Sequence, residues 1–154
     1  MTTDTPADTS QAAPKKILVV MEGPEEFPRP ATELWEGEFK RQGYEVTAIG
    51  KIVEAFSHLG FGDSKYDLVI LDPLNDTIML HGQMREPAKI AALGVLARAQ
   101  RNGAQTICTV DRGLTEEHFD MNALRTHTTR EVEHGNYSEM MEAVKALLPD
   151  GRKR

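Results

Sequence analysis

The most informative segment of this sequence is Leu68–Asp72, which reads LVILD. A strand with one solvent-exposed face alternates apolar and polar side chains. These four consecutive branched apolar residues do not alternate, so they indicate a strand covered on both faces. The segment ends at an acid and is followed by Pro73, which is typical of a chain that leaves a sheet for a loop. A second run, ILVVM at residues 17–21, has the same unbroken apolar character and ends before Glu22.

Three weaker strand signals accompany these two runs. Residues 44–49 alternate apolar and polar side chains, which is typical of an edge strand with one exposed face. Residues 106–110 form a further apolar segment, and a poorly marked strand is expected within residues 126–133. Helical patterns alternate with these strands, including a short helix expected over residues 116–124.

Five helices are expected, and turn residues mark several of their boundaries. Gly43, Gly60 and Gly103 stand where three of them should end, and Asn136 with Glu139 forms a candidate capping box at the start of the last. The apolar positions expected to face the sheet are Leu34, Trp35 and Phe39; Ile52, Val53, Phe56 and Leu59; Ile90, Leu93 and Ala97; and Met140, Val144, Leu147 and Leu148.

This alternation predicts one parallel sheet with helices on both faces, because strand-helix-strand crossovers are right-handed. An edge-like second strand beside buried first and third strands favours the order 2-1-3-4-5. The predicted fold class is therefore α/β: a three-layer, doubly wound, five-stranded parallel sheet of the flavodoxin-like type.

Composition fits a single domain. The chain has 154 residues, of which 40% are hydrophobic and 27% charged, enough to bury one sizeable core. We expect the domain to span residues 15–149. Residues 1–14, rich in Thr, Asp, Ala and Pro, are expected to be a disordered leader, and residues 150–154 a basic flexible tail.

Charge and hydropathy argue against several classes of partner. The formal net charge of -6 disfavours an extended phosphate-binding surface, so we expect no nucleic-acid partner. No apolar run reaches the roughly 20 residues of a membrane-spanning helix, so no membrane partner is expected. The single cysteine, Cys108, excludes an internal disulfide and fits a reducing, cytoplasmic location. The oligomeric state is not indicated by the sequence.

Two acids should meet at the carboxyl edge of the sheet. In an open α/β sheet the ligand crevice lies where the strand order reverses, here between the first and third strands, which end beside Glu22 and Asp72. Two carboxylates there would suit a hard divalent cation such as Mg²⁺, and Asp72 could also act as a nucleophile. The plainer alternative is that Asp72 caps the turn that follows it.

The chain resembles the response-regulator receiver family at several segments: KILVVME at residues 16–22, YDLVILD at residues 66–72, and YSEMMEAV at residues 137–144. The resemblance implies that Asp72 is the phosphate acceptor, that Thr109 supplies the hydroxyl which the family keeps near the end of its fourth strand, and that Glu22 and Asp72 hold Mg²⁺. It also implies a protein partner, either a kinase or a downstream target.

The chain departs from this family at three places. Met21 stands where one acid of a pair is expected, and residues 24–30 lengthen the first strand-helix connection with prolines. The lysine-proline pair of the family would fall near residues 133–135, where His134 offers a positive charge only when protonated. We therefore expect a stand-alone, atypical receiver-like domain with a signalling or partner-binding role and degenerate phosphoacceptor chemistry at Asp72.

An enzyme remains the alternative interpretation. Glu22, Asp72 and Glu86 also loosely resemble the acids of nucleoside deoxyribosyltransferase-like proteins. That resemblance implies attack of Glu86 on an N-glycosidic bond, with Asp72 positioning the sugar or base. Because Glu86 directly precedes Pro87, an ordinary first-turn acid that offsets the helix dipole is the favoured explanation, and the chain is expected not to be an enzyme.

Overall fold

The structure is a computed structural model that describes residues 14–21, 30–74 and 86–148, with only the backbone described for residues 30–32 and 86–88. Within these ranges the chain forms one five-stranded sheet, as predicted. Its strands are β1 (Lys16–Met21), β2 (Glu45–Ile49), β3 (Leu68–Asp72), β4 (Gln105–Val110) and β5 (Arg130–Glu133).

The strands are all parallel and follow the order β2-β1-β3-β4-β5, which confirms the predicted topology. Both β1 and β3 have neighbours on either side, so their backbone hydrogen-bonding groups are used inside the sheet. The register pairs Met21 with Asp72, the last residues of these two strands. Asp72 therefore lies at the point where the strand order reverses.

Helices cover both faces of the sheet. One face packs against α1 (Pro30–Arg41) and α6 (Tyr137–Leu147), and the other against α2 (Ala55–Leu59) and α3 (Glu86–Arg101). A short 3-10 helix (Ile52–Glu54) leads into α2, and two short helices, α4 (Leu114–His118) and α5 (Met121–Thr126), precede β5. None of the helices in the described ranges combines the length and hydrophobicity that a membrane crossing requires.

Burial explains why the central strands read as unbroken apolar runs. Every residue of β3 is buried, and Ile17, Leu18, Val19 and Val20 of β1 are fully buried. Successive side chains alternate between the two helix layers: Leu18 and Val20 contact one, and Ile17 and Val19 contact the other. Strand β2, at the edge, keeps partly exposed positions, as its alternating sequence predicts.

The buried faces of the helices differ in part from the prediction. Ile90 is 65% exposed, and Leu34 and Val53 are also exposed. On α3 the sheet contacts a neighbouring face that contains small side chains, which allow the helix to approach the strands closely. The buried residues of that face are Ala92, Val95, Leu96 and Ala99.

The single short helix expected over residues 116–124 is instead two helices. The chain is extended at Phe119, with φ -128° and ψ 148°, and this ends α4. The Asp120 side chain then accepts a hydrogen bond from the backbone N–H of Asn122 at 2.9 Å, which caps the start of α5. A capping side chain in the middle of the segment thus interrupts the expected helix.

Ile70→Ala should lower the free energy of unfolding by about 2–5 kcal/mol, because Ile70 is fully buried in β3 and its truncation leaves a cavity. Ile90→Ala removes the same atoms from an exposed position and should change that free energy by less than about 0.5 kcal/mol. Chemical denaturation of both variants provides the measurement. Similar losses in the two variants would contradict these placements.

Candidate functional site

The candidate site lies at the carboxyl edge of the sheet, on the side covered by α1 and α6. Met21, Asp72 and Thr109 end or nearly end β1, β3 and β4, and the turn after β5 brings His134 to the same edge. Parallel strands place all their carboxyl ends at one edge, which is why residues from distant parts of the sequence meet here.

The carboxylate of Asp72 is buried and hydrogen-bonded. The side chain is only 1% exposed. Its Oδ1 accepts a hydrogen bond from the backbone N–H of Leu74 at 3.1 Å, and its Oδ2 lies 3.3 Å from Nδ1 of His134. Asp72 therefore caps the turn that follows it and also lies where the strand order reverses.

His134 is held in position by the backbone on both sides of it. Its N–H donates to the carbonyl of Val110 at 2.9 Å, which extends the pairing of β5 with β4 by one residue. Gly135 follows with φ 82°, a backbone angle that favours glycine, and Asn136 caps α6 by accepting from the N–H of Glu139 at 2.9 Å. The imidazole thus faces Asp72 while its side chain remains 41% exposed.

The pairing of His134 with Asp72 changes with protonation. A protonated imidazole would form an ion pair with the carboxylate, whereas a neutral one could donate a single hydrogen bond from Nδ1. In either state Nδ1 lies over Oδ2, and the N–H of Leu74 occupies Oδ1. Access of an incoming group to the carboxylate is restricted accordingly.

Thr109 carries a buried hydroxyl that lacks a hydrogen-bond partner in the described part of the chain. The residue is 3% exposed. Thr106, three residues earlier in the same strand, is equally buried, but its hydroxyl donates to the carbonyl of His127 at 2.7 Å and accepts from the N–H of Thr129 at 2.9 Å. An unpartnered buried hydroxyl carries a desolvation penalty, so Thr109 is the unusual member of this pair.

A hollow of about 110 Å³ opens beside Thr109, between α1 and α6. Its wall is mostly apolar, and the turn after β5 provides polar groups. Trp35 and Tyr137 supply aromatic surface. The full lining is Met21, Leu34, Trp35, Thr109, Glu133, His134, Gly135, Asn136, Tyr137 and Met140.

A row of stacked aromatic rings fixes one wall of this hollow. The ring centroid of Trp35 lies 5.6 Å from that of Phe39, with an interplanar angle of 15°, and 5.2 Å from that of Tyr137, with an angle of 20°. The Tyr137 hydroxyl bonds to the carboxylate of Glu38, which raises the pKa of Tyr137. Glu38 itself has a lowered pKa, first because of its bond to Arg41 and then because of Tyr137. These contacts join α1 to the start of α6.

The structure describes some of the predicted site residues and not others. Asp72 and Thr109 both lie at the carboxyl edge, and His134 contacts Asp72 directly. Glu22 lies outside the described residues, and so does the side chain of Glu86, whose backbone begins α3. The aromatic wall was not predicted: Trp35 was assigned to core packing alone, and Tyr137 served only to mark the last helix.

The described part of the site offers one oxygen ligand that suits a divalent cation, the carboxylate of Asp72. Within residues 14–21, 30–74 and 86–148, no three His, Cys, Asp or Glu side chains form a group that could hold a metal ion. Asp72 is a hard oxygen ligand of the type that Mg²⁺ prefers, but its neighbour across β1 is the thioether of Met21, which suits soft metals instead. The described donor set alone does not fit Mg²⁺.

Cys108 lies one residue before Thr109 and points to the other face of the sheet. It is fully buried opposite Leu71 in β3. Burial raises the pKa of its thiol far above the ordinary value, and the negative charges of Asp72 and Glu131 add to the shift. Because the thiolate is the reactive form, the folded chain holds Cys108 as an inert core residue.

Comparison with known proteins identifies the fold. No family model and no curated protein matches this chain. Among solved structures, a response regulator receiver protein from Sinorhizobium medicae has a TM-score of 0.61 at 15% identity, covering 90% of this chain and 97% of its own. A CheY-like receiver domain from Methylobacillus flagellatus has a TM-score of 0.59 at 9% identity, covering 86% and 98%.

A third structure agrees with these two. The non-phosphorylated HemR receiver domain from Leptospira biflexa has a TM-score of 0.58 at 14% identity, covering 87% of this chain and 94% of its own. The predicted resemblance to receiver domains is thus confirmed at the level of the fold, which spans nearly the whole of each of these domains. Function has to be inferred from the site.

Thr109→Val should raise the free energy of unfolding by about 1 kcal/mol, because it replaces an unpartnered buried hydroxyl with a methyl group of similar shape. Thr106→Val is the matched control in the same strand. It should lower that free energy by about 1–3 kcal/mol, because the carbonyl of His127 loses its hydrogen-bond donor, whereas the N–H of Thr129 keeps the backbone carbonyl of Thr106. Denaturant titration measures both, and a destabilised Thr109→Val would indicate that this hydroxyl is satisfied in solution.

Stability should fall in alkaline solution partly because of Cys108. The unfolded chain releases the thiol proton above about pH 8.5, whereas the folded chain retains it, so the stability contributed by the neutral thiol is fully present below about pH 8.5 and is lost as pH rises toward the folded pKa. Cys108→Ala should remove this loss, on the order of 1 kcal/mol per pH unit. Urea denaturation across this pH range measures it, and parallel pH profiles for the two proteins would contradict the assignment.

Proposed function

We propose that this chain is an atypical receiver-like signalling domain that acts by docking to a protein partner, with His134 standing in for the lysine that receiver domains keep. The observation that carries the proposal is the 3.3 Å contact between His134 Nδ1 and Asp72 Oδ2. The receiver fold supports the broader class, and the contact supports Asp72 as the centre of its functional edge.

His134 supports this role by both position and chemistry. It follows β5 directly and precedes the last helix, the region where the receiver family carries its lysine-proline pair. A lysine ammonium is a permanent point charge at neutral pH, whereas an imidazole is charged only when protonated. Replacing one with the other keeps a donor on Asp72 but makes the positive charge conditional.

Conditional charge would weaken phosphoryl transfer to Asp72. In that reaction a carboxylate oxygen forms a new bond to phosphorus while the leaving group departs, and positive charge must offset the negative charge on the transferred oxygens. The two oxygens of Asp72 are already contacted by the N–H of Leu74 and by His134. We therefore propose slow, low-occupancy phosphorylation, with any Mg²⁺ held by Asp72 together with Glu22.

Signalling through protein contacts would use the same edge of the sheet. The Asp72 carboxylate is buried, but the turn that contacts it is exposed, including His134, Gly135 and Asn136. A change in the pairing of Asp72 would alter this turn and the start of α6, which a protein partner could recognise. Candidate partners are a kinase or a downstream target, and the described surface does not distinguish between them.

His134→Lys should increase phosphorylation of Asp72 several-fold, because a permanent cation replaces a conditional one. The protein is incubated with acetyl phosphate and Mg²⁺, and intact mass spectrometry measures the fraction that gains one phosphoryl group as acetate leaves. Wild type should show a low fraction that Asp72→Asn abolishes.

The matched control is His118→Lys, which adds the same charge at the end of α4. It should leave the wild-type fraction unchanged. If His134→Lys behaves like His118→Lys, the proposed replacement of the family's lysine by His134 is wrong. If no variant gains an Asp72-dependent phosphoryl group, phosphoacceptor chemistry is removed from the proposal and partner docking alone remains.

A further inference from the structure

A phenylalanine stands exposed on the side of the sheet that α2 and α3 cover. Phe61, in the loop after α2, is 83% exposed. Its neighbours Gly60 and Gly62 have φ 65° and 93°, backbone angles that favour glycine, so the loop bends on both sides of Phe61. The guanidinium of Arg98, on α3, lies 4.0 Å from the ring centroid. The ring is thus held in place although it lacks apolar cover.

Two cations next to Phe61 lack an acidic partner. The Arg98 guanidinium also lies 5.4 Å from the ring centroid of Phe56, and one of its N–H groups donates to the carbonyl of Gly60 at 3.3 Å. The Lys65 side chain ends beside Gly60. Within residues 14–21, 30–74 and 86–148, neither Arg98 nor Lys65 forms an ion pair. We call Phe61, Arg98 and Lys65 the ring surface, an apolar and basic patch on a chain of net charge -6.

The hollow between α1 and α6 has complementary features. Leu34 and Tyr137, which line it together with Trp35, are 49% and 42% exposed, so apolar surface is uncovered here too. Glu133 is an exposed residue of the same wall, and its carboxylate forms no ion pair within the described ranges. A fully enclosed apolar cavity of about 150 Å³ holds benzene. An open hollow of about 110 Å³ can therefore admit most of a phenyl ring.

We propose that copies of this chain associate head to tail, with the Phe61 ring of one copy seated in the hollow of the next. The ring lies against Trp35 and Tyr137 of the second copy, and Arg98 of the first copy pairs with Glu133 of the second. Aromatic and arginine side chains are enriched at the centres of protein interfaces, where they are desolvated together. This one contact covers exposed apolar side chains on both surfaces and pairs charges that the single chain leaves unpaired.

A second copy is the favoured occupant because both halves of the contact stand on the same chain. The ring surface belongs to the side covered by α2 and α3, and the hollow to the side covered by α1 and α6. Since these sides are opposite faces of the sheet, two copies related by a two-fold axis cannot use both contacts at once. A pair therefore leaves one ring surface and one hollow free, and a third copy can add.

Sedimentation velocity on the full chain, from about 0.01 to 1 mM protein, measures this association. We expect a weight-average mass that rises with concentration beyond the mass of two chains, with a Kd on the order of 0.1 mM for each contact. No phosphodonor is present, so the result does not depend on whether Asp72 accepts a phosphoryl group.

Single substitutions remove each half of the contact. Phe61→Ala deletes the exposed ring, and Leu34→Lys places a cation in the hollow where Arg98 of the next copy would lie; each should weaken association about tenfold or more. Glu133→Gln should weaken it several-fold, because one charge pair is lost. Val53→Ala truncates another exposed apolar side chain, one that belongs to neither surface, and should leave the Kd unchanged.

Mixing two variants tests the direction of the contact. Phe61→Ala keeps its hollow and Leu34→Lys keeps its ring surface, so each alone should stay at the mass of one chain. An equimolar mixture should form pairs with the wild-type Kd and nothing larger, because such a pair has neither a free ring surface nor a free intact hollow.

Three results would overturn the proposal. One is a wild type that keeps the mass of one chain up to about 1 mM, which would assign the two surfaces to other partners. Another is a folded Phe61→Ala, checked by circular dichroism, that associates as tightly as the wild type. The third is an equimolar mixture of Phe61→Ala and Leu34→Lys that forms no pairs, which would mean that the ring does not enter the hollow.

Discussion

The structure depends on a sheet whose central strands are buried on both faces. Because β1 and β3 lie between two helix layers, their side chains are apolar throughout residues 17–21 and 68–71. Chemistry is therefore confined to the edge where the strands leave the core. Asp72 is the first polar side chain after four buried apolar residues, and its carboxylate is stabilised there by the N–H of Leu74 and by His134.

This edge combines a well-satisfied group with an unsatisfied one. Asp72 has partners for both oxygens, whereas the nearby Thr109 hydroxyl has none in the described part of the chain. Valine at position 109 would avoid this unpartnered hydroxyl and would favour stability. Thr106, in the same strand, differs because its hydroxyl is hydrogen-bonded. Proteins retain such destabilising groups mainly where a function requires them.

The sheet could be predicted from the sequence because strands buried on both faces consist of apolar residues. Unbroken apolar runs identify β1 and β3, and alternation identifies β2 as an edge. The helices were harder, because residues such as Ile90 are apolar yet exposed, while the contact of α3 with the sheet uses Ala92 and Ala99. Hydrophobicity alone does not show which apolar side chains of a helix face the sheet and which face solvent.

The site was predictable only where a strand end defines it. The positions of Asp72 and Thr109 follow from the strand order. The contact of His134 with Asp72 depends instead on how the turn after β5 folds, and the stacked rings of Trp35 and Tyr137 depend on the packing of α1 against α6. The turn after β5 gives Asp72 an imidazole neighbour whose charge depends on protonation, a property that the strand pattern does not contain.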